Sequence, residues 1–460
     1  METHKNRVDR RPGDDAVLKQ YEAYPYPPRD PRDEAKGLYI SRLSSLPDVN
    51  HYLFRGRRDF SEPFRALVAG GGTGDATIMM AQQLADRGGP GEVVHLDIST
   101  ATRRIAKARA EARGLTNIRF VSASLTDLPN LALGRFDYID CCGVLHHLHD
   151  PEAGLCALAG ALVPGGGLGL MVYGEFGRTG LYPLQSVLRS LGRGLPLKQQ
   201  IPLTRRLLAD LPATNWFRHN PFLTDHNRGD AELVDLCLHS RDRAYRIAEF
   251  VDLLAAADLA PVAFIEPIRY EPTTYLQDPL LIKKAQRLSL LERASLAEAL
   301  AGNLKTHLLY AAPLTDAAPR VAQPDGPDAV PLLSAANSRA LIKSMRLDLS
   351  VTPAIDGLTV RFVLPPPDVR DLLSGRRSSH PRADPWEITG RQSRSRLAKV
   401  QGSVRPVLQG AQRTERHAYR LSEAAWLDDG LGYKTPRQQS MIGCSRLIVI
   451  RLLPNSNRRH

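Results

Sequence analysis

A run of glycines between two apolar patterns carries the clearest chemical signal in this chain of 460 residues. Residues 70–74, Gly-Gly-Gly-Thr-Gly, follow a short apolar run at 66–69 and precede a segment of helical pattern that begins at Asp75. Glycines let a ligand approach the backbone closely, and a helix start offers N–H groups that lack an intrahelical partner. A second apolar run, 93–96, ends in Asp97, whose carboxylate can accept hydrogen bonds from both ribose hydroxyls of an adenosine. An ordinary tight turn followed by a helix-capping acid is the alternative explanation.

The elements around these residues alternate along the chain between strand and helix. Apolar runs at 118–121, 136–142 and 168–173 predict three more strands, separated by helices at 99–113 and 151–162. Ser99 or Thr100 is the expected cap of the first of these helices, and Asp150 the cap of the second. A helix at 247–257, a strand at 262–265, a helical stretch at 280–304 and a strand at 306–312 follow. This order predicts an α/β fold with a doubly wound, mostly parallel sheet.

The glycine pattern and the blocks at the fourth and fifth strands resemble those of class I S-adenosylmethionine-dependent methyltransferases. Gly70, Gly72 and Gly74 match the GxGxG loop of that family, whereas dinucleotide enzymes usually read GxGxxG. Asp75 would repel a phosphate there, but S-adenosylmethionine has none. The resemblance covers residues 64–175 and implies a Rossmann-like, seven-stranded methyltransferase sheet. It implies cofactor contacts at Gly70, Gly71, Gly72, Thr73, Gly74, Asp97, Ile98, Ser124, Leu125 and Cys142, and at Tyr21 and Tyr24 if the N-terminal helix forms a lid, as in many members.

Two positions depart from the family pattern. Many members carry an acid two residues before the first glycine, where it holds the methionine ammonium, and this chain has Val68. Many also carry an acid after the third strand that binds the adenine amino group, and here Ser124 stands there, with Asp127 as a substitute three residues on. A neutral hydroxyl is a weaker acceptor than a carboxylate. These departures concern the fine contacts more than the identity of the cofactor.

Three histidines follow the fourth strand. His146, His147 and His149 stand beside Asp150, a composition that invites a metal interpretation. Consecutive residues seldom converge on one ion, so we expect no metal there. The fourth strand ends beside the sulfonium in the family fold, which makes His146 or His147 a candidate catalytic base or substrate-orienting group. A structural role for the pair is the alternative.

Substrate contacts are expected from the mouth of the fifth strand and from an insertion at 176–245, because ligands bind at the carboxyl ends of parallel strands. The candidates are Tyr173, Glu175, Asn215, Asp225 and His226. Glu232, Asp235 and His239 recur at the spacing of one helix face, which could meet a cationic substrate but is expected to face solvent.

Composition divides the chain further. We predict a disordered start at 1–15, a methyltransferase domain at 16–313, a linker at 314–330, a small α+β region at 331–375 and a basic tail at 376–460, which we expect to be disordered. The tail carries 17 Lys and Arg against 6 Asp and Glu, and so holds most of the net charge of +12. Nucleic acid is therefore a partner only through the tail. Five scattered cysteines, the absence of a long apolar run and the polar N-terminus predict a cytoplasmic protein with no membrane association.

These observations predict an S-adenosylmethionine-dependent methyltransferase whose acceptor the sequence does not identify. A small molecule or a protein side chain is favoured, because the Asn/Asp-Pro-Pro-Tyr type of tetrapeptide found in exocyclic-amine methyltransferases of nucleic acids is replaced by Cys-Gly-Val-Leu at 142–145. A dinucleotide-binding oxidoreductase and a catalytically silent regulator that keeps the cofactor are the alternatives.

Overall fold

The computed structural model describes residues 14–316, 319–323, 331–332, 354–356, 359–364 and 446–452. The chain divides into two compact units. The first comprises Met1–Ala35, Tyr39–Ser44 and Phe60–Ala318, and the second comprises Lys36–Leu38, Ser45–Asp59 and Pro319–His460. Each unit is described by itself below.

The first unit contains a seven-stranded sheet in the order β3-β2-β1-β4-β5-β7-β6. Its strands are β1 Phe64–Ala69, β2 Gly91–Asp97, β3 Ile118–Ser122, β4 Phe136–Cys142, β5 Leu162–Tyr173, β6 Leu259–Phe264 and β7 Thr306–Pro313. Strands β1 to β5 are parallel, and β7 runs antiparallel to both β5 and β6. The predicted Rossmann-like, mostly parallel methyltransferase sheet is thereby confirmed.

Helices connect these strands. The first unit has α1 Asp14–Ala23, α3 Asp75–Arg87, α4 Thr100–Ala112, α5 Pro151–Gly160, α6 Leu181–Leu191, α7 Leu197–Asp210, α8 Trp216–His219, α9 Asp230–Cys237, α10 Ile247–Ala256, α11 Pro279–Ala285 and α12 Leu290–Ala301, and the second has α2 Leu46–Leu53. The Ser99 hydroxyl accepts the Thr102 N–H at the start of α4, and the Asp150 carboxylate accepts the Ala153 N–H at the start of α5. Both predicted caps are confirmed.

Two predicted elements have different bounds in the structure. The glycines at 165–167, which precede the predicted strand at 168–173, lie inside β5, where a register shift between Phe136 and Tyr138 of β4 accommodates the extra residues. The predicted helical stretch at 280–304 is two helices, because Ser289 and Glu292 form a capping box that starts α12 anew. The core of the unit lies between the sheet and its helices and includes Leu67, Ile139 and Leu170.

The second unit contains a four-stranded sheet in the order β8-β11-β10-β9. The strands are β8 Pro331–Leu332, β9 Ala354–Asp356, β10 Thr359–Leu364 and β11 Arg446–Leu452, all paired antiparallel. The predicted strand at 358–364 corresponds to β10. Strand β11 lies within the segment predicted as a basic tail, and the rest of that segment lies outside the described residues. Its apolar run at 447–450 was the available signal. None of the helices in the described part of the chain has the length and apolar character that a membrane span requires.

Candidate functional site

The glycine loop joins β1 to α3 in a conformation that side chains would oppose. Gly70, Gly72 and Gly74 have φ angles of 73°, 53° and 104°, the left-handed region that favours glycine. A Cβ at Gly72 would lie 2.9 Å from the Tyr26 carbonyl oxygen. The Gly71 position is also filled, because a Cβ there would lie 2.3 Å from Nδ1 of His95. The loop is therefore a bare backbone turn at the carboxyl end of the central strand.

Asp97 ends β2 beside this loop and already serves as its anchor. Its Oδ2 accepts the Gly72 N–H at 2.7 Å, while its Oδ1 accepts the Ser99 N–H at 2.8 Å and the Thr102 hydroxyl at 3.0 Å. Burial nevertheless raises the pKa of this carboxyl. A carboxylate has about four lone-pair sites, so one site remains, on Oδ2. Asp97 can thus accept one ribose hydroxyl while it holds the loop, rather than the two that the sequence suggested.

The N-terminal segment covers the loop. The Thr73 hydroxyl donates to the Pro27 carbonyl oxygen at 2.6 Å, and Arg29 makes a bidentate contact with Asp75, with the closest N–O distance at 2.7 Å. The Glu22 carboxylate accepts hydrogen bonds from the first turn of α4, including the Ser99 hydroxyl at 3.0 Å. These contacts hold the segment after α1 over the turn that is predicted to bind the cofactor.

A buried ion-pair network supports the loop from below. Arg109 of α4 is fully buried and contacts Glu34 at 2.6 Å, Asp75 at 2.7 Å and the Thr73 carbonyl oxygen at 2.8 Å. Arg29 and Arg109 together lower the pKa of Asp75, although burial alone would raise it. Asp75 is therefore an ionised anchor for two arginines, and the loop keeps its shape because both sides are tied down.

The remaining predicted cofactor residues lie at strand ends of the same sheet edge. Ile98 follows the end of β2, Cys142 is the last residue of β4, and both are half-buried. Ser124 begins a short 3-10 helix and its hydroxyl contacts that of Thr126 at 3.0 Å, while Leu125 is buried in the core. Val68 is buried within β1, so no acid stands at that position to meet an ammonium group.

A cluster of buried aromatic and polar side chains lies beyond the end of β4. His146 stacks on Tyr173 with ring centroids 3.8 Å apart, and His147 stacks on His239 at the same distance. The Tyr21 and Tyr173 hydroxyls donate to opposite oxygens of the Asp235 carboxylate, each at 3.3 Å. We call these six residues the acceptor cluster: Tyr21, His146, His147, Tyr173, Asp235 and His239.

The protonation of His147 is fixed by the backbone. Its Nδ1 lies 2.8 Å from the Arg241 carbonyl oxygen, which can only accept, so Nδ1 carries the proton and Nε2 the lone pair. Among the described residues, no hydrogen-bond donor contacts this Nε2, and the His147 side chain is 7% exposed. Burial lowers the pKa of His147 to about 3, which keeps the ring neutral at physiological pH. His147 is therefore a hydrogen-bond acceptor aimed at something the chain itself does not supply.

His146 differs from its neighbour although the sequence treats the two alike. Its side chain is 1% exposed, and neither ring nitrogen has a partner in the described structure. Burial lowers its pKa well below the usual value, and the nearby His147 adds to this effect. His146 is a neutral stacking ring whose two polar atoms have no partner.

His147, Asp235 and His239 also place one possible metal-ligand atom each within 4.8 Å of one another. The hydrogen bonds oppose a metal at this place. The Arg241 N–H donates to Nδ1 of His239 at 3.0 Å, so the proton of the neutral ring is on Nε2, which lies 3.0 Å from the Tyr21 hydroxyl. A metal at this Nε2 would require an imidazole that has lost both protons. We therefore interpret the cluster as a hydrogen-bonded network.

Arg178 closes one side of the acceptor cluster. Its guanidinium lies 3.6 Å from the centre of the Tyr173 ring and forms a buried ion pair with Asp242 at 3.0 Å. Gln185 donates to the same carboxylate oxygen at 3.3 Å. The charge of Arg178 is therefore compensated by Asp242.

Four of the five predicted substrate residues have local partners instead. Glu175 pairs with Arg246 on the surface at 3.1 Å, and Asn215 caps α8. Asp225 pairs with Arg228 at 3.5 Å, although its charge also contributes to the raised pKa of Tyr26. His226 packs near Phe217 with ring centroids 5.3 Å apart. Of the predicted set, the structure brings only Tyr173 into the acceptor cluster.

Residues 66–166 match the family model described as "Methyltransferase domain". An uncharacterized protein of Synechococcus sp. is 32% identical over 292 residues, which cover 62% of this chain and 68% of that protein. The chain belongs to the class I S-adenosylmethionine-dependent methyltransferase family. Its cofactor is accordingly S-adenosylmethionine, and the oxidoreductase alternative is ruled out.

Other relatives share smaller parts. The tRNA 5-carboxymethoxyuridine methyltransferase of Escherichia coli is 35% identical over 117 residues, which cover 25% of this chain and 42% of that enzyme. The structure of PKMT2 from Rickettsia typhi in complex with AdoHcy aligns with a TM-score of 0.48 and 14% identity, covering 70% of this chain and 61% of that one. The methyltransferase described here thus spans less than two thirds of either protein.

The residues of this methyltransferase fit its cofactor at three points. The side-chain-free turn at Gly70–Gly74 leaves backbone N–H groups at the start of α3, and Asp97 keeps one lone-pair site for a ribose hydroxyl. Ser124 offers a hydroxyl where the family binds adenine. The methionine ammonium finds no acid at Val68, so its partner must come from another residue.

The sequence misassigned two members of the acceptor cluster. Asp235 and His239 were expected on a solvent-exposed helix face, but they are 6% and 3% exposed. The error lay in reading three polar residues without their neighbours. Leu233, Val234 and Leu236 are also buried, so α9 is enclosed on several sides. The apolar residues on both sides of Asp235, Leu233 and Val234 before it and Leu236 after it, were the signal that could have identified it as buried.

Proposed function

We propose that this methyltransferase transfers its methyl group to an oxygen or nitrogen atom of the substrate. This atom carries a hydrogen, which it donates to Nε2 of His147 in a hydrogen bond. The observation behind the proposal is the fixed tautomer of His147. No described residue donates to its lone pair, and the side chain is 7% exposed, so a donor on a bound substrate can reach this Nε2. The acceptor is therefore an O–H or N–H group.

Each part of the site has a role in this reaction. When bound, S-adenosylmethionine supplies an electrophilic methyl group on a sulfonium. The loop at 70–74 and Asp97 position the cofactor, and the segment after α1 excludes water from above. His147 orients the acceptor by accepting a hydrogen bond from it. Because burial lowers the pKa of His147 to about 3, the ring stays a neutral hydrogen-bond acceptor at physiological pH and does not take up a proton.

The experiment compares His147→Phe with His149→Phe. Phenylalanine keeps the stacking on His239 but removes the lone pair, and His149 is an exposed histidine two residues away. S-adenosylhomocysteine formation is measured over a panel of phenols, alcohols, amines and thiols. We expect His147→Phe to lower kcat by roughly tenfold, the value of one lost neutral hydrogen bond that orients the acceptor, and His149→Phe to leave it unchanged. Equal rates for the two variants would refute the role of His147.

The same assay tests the catalytically silent alternative, whose support is the loss of an acid at Val68 and Ser124. Turnover on any acceptor would exclude it. A small molecule or a protein side chain is the acceptor we favour, and the name of the E. coli relative keeps tRNA as a second candidate.

A cytoplasmic location stays a prediction, and Cys141, Cys142, Cys156 and Cys237 form no disulfide bond, as a reducing compartment requires.

A further inference from the structure

Asp235 is a buried carboxylate without a cation beside it. It is 6% exposed, and among the described residues no Lys, Arg or His nitrogen lies within 4.0 Å of its oxygens. Its direct partners are two neutral hydroxyls, those of Tyr21 and Tyr173. The two hydroxyls take one lone-pair site on each oxygen and leave the others unused. The carboxylate is thus hydrogen-bonded but not neutralised.

The surrounding groups do not supply the missing positive charge. Arg178 is the nearest cation in electrostatic terms, but Asp242 pairs with it directly at 3.0 Å. His147 and His239 are both neutral, because burial lowers the pKa of each ring, and Nδ1 of His239 accepts the Arg241 N–H. With Asp235 ionised, the buried assembly of Asp235, Asp242 and Arg178 has a net charge of −1. Burying an uncompensated charge is costly, so the site favours a ligand that brings a cation.

Aromatic side chains lie beside the same carboxylate. Tyr21, Tyr173 and the three histidines of the acceptor cluster contact one another with centroid distances of 3.8 to 5.7 Å. Aromatic rings attract cations through their quadrupole, and more strongly in desolvated sites. A carboxylate beside several aromatic rings is the arrangement expected for an organic ammonium ion.

We propose that the methyl acceptor is an amine, and that its ammonium form binds against Asp235. The inference rests on the proposed function and specifies the acceptor atom as nitrogen. Asp235 supplies the charge, and His147 accepts a second N–H of the same group. The hydroxyls of Tyr21 and Tyr173 hold the carboxylate in place, so these two tyrosines are positioning residues.

Burial raises the pKa of Asp235 to about 7, an effect that Arg178 opposes and Asp242 increases. A proton can therefore neutralise the Asp235 carboxylate when no amine is bound. When the amine is bound, its ammonium group neutralises the carboxylate instead. The same property lets Asp235 take one proton from the bound ammonium.

Methyl transfer to the bound amine proceeds with the loss of one proton. One N–H bond of the ammonium breaks and its proton passes to Asp235, which leaves a lone pair on nitrogen. That lone pair forms the new N–C bond while the methyl–sulfur bond breaks and its electrons stay on sulfur. The products are the methylated ammonium and S-adenosylhomocysteine, and Asp235 later releases one proton to solvent.

The test uses three probes of similar size on the full chain saturated with S-adenosylhomocysteine: n-butylammonium, n-butanol and butyrate. Calorimetry should show binding of the cation at least roughly 30-fold tighter than that of the alcohol or the anion, the lower end of the cost of removing one partner of a buried ion pair. Asp235→Asn should remove this preference. Asp230→Asn is the matched control, since Asp230 lies on the same helix but in an exposed pair with Arg205.

Tighter binding of n-butanol or butyrate, binding of none of the three, or an unchanged preference in Asp235→Asn would overturn the inference. The comparison in the unaltered protein needs no variant, so it decides the question even if Asp235→Asn fails to fold. Methylation of phenols or alcohols alone would refute the amine while leaving the methyltransferase intact. Cation binding without S-adenosylhomocysteine formation on any amine would also overturn the inference, because the ammonium would then bind without accepting the methyl group, whereas no turnover on any acceptor would refute the proposed function.

Discussion

Asp97→Asn tests the cofactor site most directly, because one side chain holds the loop and the start of α4 and is predicted to bind the ribose. The amide keeps the size of the carboxylate but has one oxygen and one NH2 group. Whichever way it turns, the NH2 faces existing donors: either the Gly72 N–H, or the Ser99 N–H and the Thr102 hydroxyl. At least one hydrogen bond is lost inside the protein, and the remaining acceptor loses its charge.

The size of the effect follows from these contacts. A hydrogen bond to a charged group contributes about 1.5 to 3 kcal/mol. The structure leaves one lone-pair site for a ribose hydroxyl, so one such bond to the cofactor is at risk. This corresponds to a loss of affinity for S-adenosylhomocysteine of roughly 10- to 150-fold. The bond lost to Gly72 or Ser99 should lower the melting temperature as well.

Calorimetric titration with S-adenosylhomocysteine measures the affinity, and thermal unfolding measures the stability. Thr102→Val is the matched control, since it removes one hydrogen bond to Oδ1 of Asp97 and leaves the charge and the Gly72 contact in place. The control should lose stability but little affinity. An unchanged dissociation constant in Asp97→Asn would show that the ribose binds elsewhere, and equal losses of affinity in both variants would show a general loosening of α4.

Three further outcomes are expected. Gly72→Val should abolish cofactor binding, because a side chain there meets the Tyr26 carbonyl oxygen at a φ of 53°, and normal binding by calorimetry would refute this. Burial raises the pKa of the Asp140 carboxyl from 3.8 to about 7. The protonated carboxyl therefore makes its full contribution to stability below pH 3.8, and this contribution is lost as the pH rises to 7. The unfolding free energy should fall by up to roughly 4 kcal/mol over that range, and Asp140→Asn, measured by urea unfolding at each pH, should lack this fall. Arg29→Met should remove the contact between the N-terminal segment and Asp75 and speed cofactor release in stopped-flow displacement, whereas an unchanged rate would show that the contact does not gate the site.

The sheet could be read from the sequence because local patterns determine it. Parallel strands buried on both faces read as short apolar runs, and the helices between them begin at side chains that can cap, such as Ser99 and Asp150. Asp97 was found because it ends such a run. Its three internal partners were not foreseen, since hydrogen bonds to Gly72 and Thr102 depend on how the turn and α4 pack together.

The acceptor cluster could not be predicted in the same way, because long-range contacts assemble it. His147 and His239 stand 92 positions apart, and Tyr21 bonds to Asp235 across 214. The histidine pair and Tyr173 were identified because they follow strands β4 and β5. Asp235 and His239 come from a helix whose position relative to the sheet depends on the whole insertion, and no local period contains that information.

Tyr21 connects the two halves of the site. Its hydroxyl contacts Asp235 and His239 of the acceptor cluster, and the Asp97 carboxylate is close enough to contribute to its raised pKa, after burial and Asp235. The neighbouring Glu22 holds the start of α4, where Asp97 also binds. Movement of α1 would therefore disturb the ribose acid and the acceptor carboxylate together. This shared helix is a physical reason why the acceptor carboxylate should be correctly placed only when the segment over the cofactor is closed. In the closed state, the methyl group is exposed to an amine and shielded from water at the same time.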